Sequence, residues 1–160
     1  MTVAGLIGCS IEELGFEYDY HGPYNNALYN LLTEYVGTLQ IDKAITGAVP
    51  GADFVWAWVA MAEIGDLVCL TACQRYGENW TLDNKERLQN IKIAAGKTIT
   101  LGQGSSSDAK ENFRDKAIID RCDIIFVVWN TKSNNRIQNA LAYAENQNKE
   151  VILINTLELT

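Results

Sequence analysis

The stretch Asp123-Ile124-Ile125-Phe126-Val127-Val128-Trp129 decides the fold class. After its leading aspartate it is apolar throughout, with none of the alternation of a half-exposed strand. A run of that kind belongs in a parallel sheet, where helices cover both faces. Working outward, further β-rich apolar runs fall at 3–7, 43–46, 67–71, 98–101 and 151–154, and helical patterns lie between them at 24–39, 52–64, 82–95, 109–120 and 135–148. Leu28, Leu31, Leu32 and Tyr35 recur at helical spacing, as do Ile137, Leu141 and Ala144. Strand–helix alternation over the whole length predicts an α/β fold: one Rossmann-like, doubly wound, mainly parallel sheet with helices on both faces, formed as a single domain from residues 1–160.

Composition narrows the function classes. Hydrophobic residues make up 48% and charged residues 21%, a globular balance that excludes an intrinsically disordered chain. No apolar run approaches the ~18 residues of a membrane span and no basic-then-apolar leader opens the sequence, so a soluble, cytoplasmic protein is expected. The formal net charge is −7, and up to Cys73 the only basic residue is Lys43. Duplex nucleic acid is therefore not an expected partner. An anion would have to use backbone amides or cations from the second half, such as Arg75, Arg114, Lys132 and Arg136. Cys9, Cys69, Cys73 and Cys122 read as free thiols, and with His21 as the single histidine no metal site is expected.

Open parallel sheets bind ligands outside the carboxyl ends of their strands. Here those ends carry small and neutral polar residues: Gly8-Cys9-Ser10, Thr46-Gly47-Ala48-Val49-Pro50-Gly51-Ala52-Asp53, Gly102–Ser107, and Asn130-Thr131-Lys132-Ser133-Asn134-Asn135. Gly47 and Gly51 would let the backbone turn tightly against a ligand; the alternative is an ordinary βα turn with Asp53 favoured by the helix dipole. The Gly102–Ser107 loop is a phosphate cradle, a mobile lid or simple flexible chain, with Asp108 as a helix N-cap. Ser133, Asn134 and Asn135 can bond ribose hydroxyls or cap the last helix, and Arg136 can meet a phosphate or lie solvated. Trp129 closes a strand beside the presumed cleft, where it can stack on a base or pack in the core. Trp56 and Trp58 point to different faces of one helix, one expected in the core and one against a partner subunit, so a homo-oligomer is expected.

Several segments together resemble the YpsA-like branch of the SLOG superfamily, the Rossmann-like proteins that include DprA and the LOG-type phosphoribohydrolases. They are Gly8-Cys-Ser-Ile-Glu-Glu-Leu14-Gly15-Phe16, Thr46-Gly47 with Gly51-Ala52-Asp53 and Ala57, Trp80 with Asn84–Arg87, Phe113-Arg114-Asp115 running to Asp123, and Ala140–Ala144. The departures lie in the functional loops. Ser10 and Ile11 stand where the family has Arg and Pro, and Asp115 stands for its Asn. The Gly-Gly-Thr turn is missing at Asn135-Arg136-Ile137, and Gln138 and Ala140 occupy the neighbourhood of the hydrolase glutamate.

The resemblance implies a nucleotide-derived ligand of ADP-ribose or NAD type, bound without turnover by a sensor or sequestering protein of the kind used in phage–host conflict. The expected ligand-binding set is Gly8, Cys9, Ser10, Gly47, Gly51, Asp53, Arg114, Asp115, Trp129, Asn130, Ser133, Asn134, Asn135 and Arg136, with no catalytic residue and no cofactor. The competing class is an N-glycosidic enzyme, a phosphoribohydrolase or deoxyribosyltransferase, with Asp53 or Asp115 supplying the carboxylate. A purely structural oligomer is a third reading, and it leaves the small-residue edge unexplained.

Overall fold

The computed structural model describes residues 1–14 and 19–159. Gly15 and Phe16 of the opening motif lie outside the described residues. The chain runs β1 (Val3–Gly8), α1 (Ile11–Leu14), α2 (Pro23–Leu39), β2 (Lys43–Thr46), α3 (Ala52–Glu63), β3 (Leu67–Thr71), α4 (Leu82–Ala94), β4 (Lys97–Thr100), α5 (Asp108–Arg121), β5 (Ile124–Trp129), α6 (Asn135–Asn146) and β6 (Glu150–Asn155), then a 3-10 turn at Thr156–Glu158. The strands form one sheet in the order β4-β3-β2-β1-β5-β6, every pair parallel. This is the doubly wound Rossmann-like architecture expected from the sequence.

The apolar run at 124–128 is buried, as a strand covered on both faces must be. The edge strands β4 and β6 are mostly exposed or half-buried and carry more polar residues. Two small residues of β1 show how closely both faces are covered. A Cβ at Gly8 would lie 2.6 Å from Ala52 on α3, and one at Gly5 would lie 2.7 Å from Ile118 on α5. Helices α2, α3 and α4 pack side by side, and α5 packs on α6.

The chain reverses direction across the sheet between β1 and β5, so the crevice at a topological switch point opens at the carboxyl ends of these two strands. Short α1, not expected from the sequence, sits at that point. Ser10 and Glu13 cap it reciprocally: Ser10 N–H donates to Glu13 Oε1 (2.9 Å) and Glu13 N–H to Ser10 Oγ (3.3 Å).

Of the two tryptophans of α3, Trp56 takes the expected core position. Trp56 is fully buried and its indole N–H donates to Ile45 O (3.1 Å). Trp58 is half-buried against Tyr20, edge to face at 5.2 Å between ring centroids. Much of the aromatic area behind the expectation of a subunit interface is thus covered within the chain. At the other end of α5, Ser107 rather than Asp108 is the N-cap, with its side chain accepting from Lys110 N–H.

Gly51 joins the loops after β1 and β2. It forms an antiparallel bridge with Ser10, and Ile11 N–H donates to Pro50 O (3.0 Å). Its φ of +127° lies where L side chains are strained, and a Cβ would stand 2.7 Å from Cys9 O. Gly51→Ala is therefore expected to lower the melting temperature by roughly 5 °C or more, about 2 kcal/mol. An unchanged calorimetric melting temperature would contradict this scaffold role.

Candidate functional site

A cleft of about 820 Å³ lies at the carboxyl edge of the sheet. Five segments surround it: α1 with Ser10, Glu12 and Glu13; the β2–α3 turn with Val49 and Pro50; the segment leading into α4 with Tyr76, Trp80 and Thr81; the start of α5; and the start of α6. The starts of α5 and α6 bring the positive ends of two helix dipoles to this polar mouth. Trp80 is its aromatic wall. Gly77 backs the indole so closely that a Cβ would stand 2.9 Å from the ring, and Tyr76 meets it edge-on at 4.9 Å. Among the described residues lining it, Arg136 is the one cation, with Glu12, Glu13, Asp108 and Glu111 as the carboxylates.

Beneath the floor lies a cluster of buried charge. Asp115 is shared by two arginines: Oδ1 accepts from Arg114 (Nη2 3.1 Å, Nε 3.3 Å) and Oδ2 accepts from Arg136 Nη1 (3.2 Å). Arg136 Nη2 also donates to Gly8 O (2.6 Å) and lies 3.8 Å from Glu13 Oε1. Glu13 completes the crossing of the switch point, because Asn134 donates to its Oε2 and Asn130 Nδ2 donates to its backbone carbonyl (3.2 Å). Burial alone would raise the Glu13 carboxyl, but the Ser10 N–H, Arg136 and Asn134 outweigh it and hold the group below the usual carboxylate range.

Several residues expected to touch ligand are placed otherwise. Arg114, expected to aim at a phosphate, is 0% exposed. Its Nη1 donates to Tyr76 Oη (3.3 Å), and a Cβ on Gly47 would lie 2.9 Å from its Nε. Gly47 thus makes room for an arginine. The β2–α3 turn closes on itself: Ala48 N–H donates to Thr46 Oγ1 (3.1 Å), Val49 N–H to Asp53 Oδ2 (3.2 Å), and Tyr76 O–H to Ala48 O (3.2 Å). Gly51 and Asp53 are likewise buried rather than lining the cleft. Gly8 and Cys9 are buried, and desolvation pushes the Cys9 thiol upward.

On the other side of the switch point, the indole N–H of Trp129 donates to Lys132 O (2.8 Å), and the ring does not line the cleft. Asn130 is buried and accepts from Lys132 N–H (3.1 Å), and Ser133 is exposed outside the cleft. Asn134 caps α6 by accepting from Ile137 N–H (3.2 Å). Of the expected set, Ser10, Asn135 and Arg136 line the main cleft. The Gly102–Ser107 loop is pinned rather than loose: Lys110 Nζ donates to Gln103 O (2.5 Å) and Ser105 O (2.7 Å), and Arg75 Nη2 donates to Ser105 Oγ (3.1 Å).

Glu13 and Tyr76 did not stand out in the sequence, and Trp80 entered only through the family resemblance. Glu13 had a readable signal in the Ser10-x-x-Glu13 capping box. Among the described residues no group of three or more His, Cys, Asp or Glu side chains could hold a metal ion, and no helix is long and apolar enough to cross a membrane.

No protein-family model and no curated protein sequence matches the chain. Solved structures do match in three dimensions. DNA processing protein A (DprA) from Streptococcus pneumoniae is similar at a TM-score of 0.66 and 13% identity, over 95% of this chain and 50% of that one. DprA from Helicobacter pylori, described for its single-stranded DNA binding mode, is similar at a TM-score of 0.63 and 14% identity, over 95% of this chain and 64% of that one. The structural-genomics target TM1055 is similar at a TM-score of 0.61 and 10% identity, over 94% and 72% of the two chains. This chain spans about half to two thirds of the DprA chains. The likeness shows a common fold, the doubly wound Rossmann-like architecture expected from the strand–helix alternation.

Asp53 makes the stability of the fold depend on pH. It is 3% exposed, and its Oδ1 has no hydrogen-bond partner. Desolvation outweighs the pull of Arg136 and Arg114 and raises its pKa to about 7. The folded state therefore binds this proton more tightly than the unfolded state, and the stability it confers falls as pH rises from about 4 to about 7. Asp53→Asn removes the titrating carboxyl, so the stability difference between Asp53→Asn and the parent should shift in favour of the variant by more than about 1.4 kcal/mol across that window. Parallel denaturation curves at both pH values would contradict it.

Proposed function

We propose that this chain binds a nucleotide-derived small molecule of the ADP-ribose or NAD type in the main cleft, as a sensor or sequestering protein that does not turn it over. The observation that carries this reading is one crevice at the switch point combining the Trp80 ring, hydroxyl-accepting carboxylates and the Arg136 guanidinium. A base stacks on Trp80, ribose hydroxyls donate to carboxylates such as Glu12 or Glu111, and a phosphate meets Arg136 beside the α6 N-terminus.

The charge of the lining separates this reading from single-stranded DNA binding, the activity named for the DprA of Helicobacter pylori. Strand binding needs a cationic groove along the backbone. Here four carboxylates face one arginine, on a chain of pI about 4.7. Against an N-glycosidic enzyme stands the burial of its two candidate carboxylates. Asp53 and Asp115 lie beneath the main cleft, and Asp115 is held by two arginines.

Calorimetric titration with AMP, NAD, ADP-ribose and an oligothymidylate, followed by mass spectrometry of the recovered ligand, tests the reading. Saturable binding of an intact nucleotide near 1 μM, about 8 kcal/mol, is expected. Trp80→Leu should weaken it about tenfold or more, since a stacked base contributes about 1–3 kcal/mol. Recovery of free base or altered sugar would make the protein an enzyme. Salt-sensitive binding of the oligothymidylate alone would make it a DNA-binding protein.

A further inference from the structure

A second groove, of about 420 Å³, runs between α5 and α6 and shares Asn112, Arg136 and Asn139 with the main cleft. Its chemistry is different. Among the described residues, the main cleft sets four carboxylates against one arginine, whereas the groove adds Lys116 to Arg136 and has Asp115 as its one lining carboxylate. Both oxygens of Asp115 already accept from arginines. Asn112, Asn139 and Asn146 add side-chain amides to the walls. Lys116 Nζ lies 5.5 Å from the Tyr143 ring centre, and the Tyr143 hydroxyl donates to Asp120 Oδ1 (2.6 Å). The lysine therefore has a fixed aromatic wall beside it.

We infer that the α5–α6 groove is the second half of one elongated binding site, taking the anionic and distal polar part of a two-lobed nucleotide ligand whose nucleoside part occupies the main cleft. The inference rests on the small-molecule reading above. Arg136 stands where the two cavities meet, so the negative charge of the ligand centres there. Carboxylate walls disfavour phosphate and favour sugar hydroxyls, which places the nucleoside on the Trp80 side. Cations and amides favour phosphate oxygens and a further hydroxyl-rich group, which places the rest between α5 and α6. The ligand class is a nucleoside diphosphate carrying another polar group. A mononucleotide would leave the groove empty.

Titrating AMP and ADP-ribose into the parent, Lys116→Glu and Ala142→Gln tests the assignment. Lys116 and Ala142 are exposed and line only the groove; the first change reverses a charge and the second is a neutral obstruction. The parent should bind ADP-ribose at least about tenfold more tightly than AMP, roughly the effect of one charge-assisted contact. Both variants should lose that advantage while holding AMP within about twofold and melting at the parent temperature. If AMP binds but ADP-ribose has no advantage, or keeps it in both variants, the groove assignment falls and the cleft reading stands. If neither nucleotide binds the parent, both fall. Preference for an oligothymidylate that the groove variants weaken would overturn the two-lobed ligand in favour of a strand.

Discussion

Asp115 holds two arginines at once, and the arrangement of the site follows from that shared carboxylate. A guanidinium as deeply buried as Arg114 is costly unless it is paired and hydrogen-bonded. Asp115 supplies the charge, the Tyr76 hydroxyl accepts a further bond, and Gly47 leaves the space. The other oxygen of Asp115 turns Arg136 toward β1, where it reaches Gly8 O. One side chain on α5 thereby connects the turn after β2, the end of β1 and the start of α6. Breaking such a buried pair typically costs about 3–5 kcal/mol, so these loops are held as a unit.

A fixed floor leaves the walls to set selectivity. The cleft has helix N-termini, a braced indole and a single arginine, while its remaining charge is acidic. Such a site gains little from long-range attraction of polyanions and depends on fit and oriented hydrogen bonds. A small ligand with sugar hydroxyls, an aromatic base and few phosphates satisfies it better than a nucleic-acid backbone does. The DprA-like fold supplies the location of this crevice; the residues lining it decide what it holds.

The architecture was legible because hydrophobic patterning dominates it. The unbroken apolar run at 124–128 and the regular strand–helix alternation leave few other topologies. The site was less legible because its residues are separated by their environment in three dimensions. Arg114 and Arg136 look alike in one dimension, but one lies under the sheet edge and the other at the cleft wall. The nearest sequence hint was Asp115 beside Arg114, together with Gly47, and neither announces burial. Trp129 drew attention because it ends a strand at the right edge, yet the ring that borders the cleft is Trp80, from an irregular segment whose course sequence periodicity does not give. The Thr46–Asp53 turn looked like a place where the backbone approaches a ligand, but its donors and acceptors close on one another.

The central claim is that Asp115 divides its two arginines between scaffold and ligand, and side-by-side measurement of Arg114→Lys and Arg136→Lys tests it most directly. Each change keeps the charge and removes the planar fork. With melting temperature and ADP-ribose affinity measured on both, the account predicts a crossed result. Arg114→Lys should melt several degrees lower and bind normally once folded, whereas Arg136→Lys should bind about tenfold more weakly, ~1.4 kcal/mol. Weak binding by an Arg114→Lys protein that melts like the parent would contradict the account and return Arg114 to the ligand.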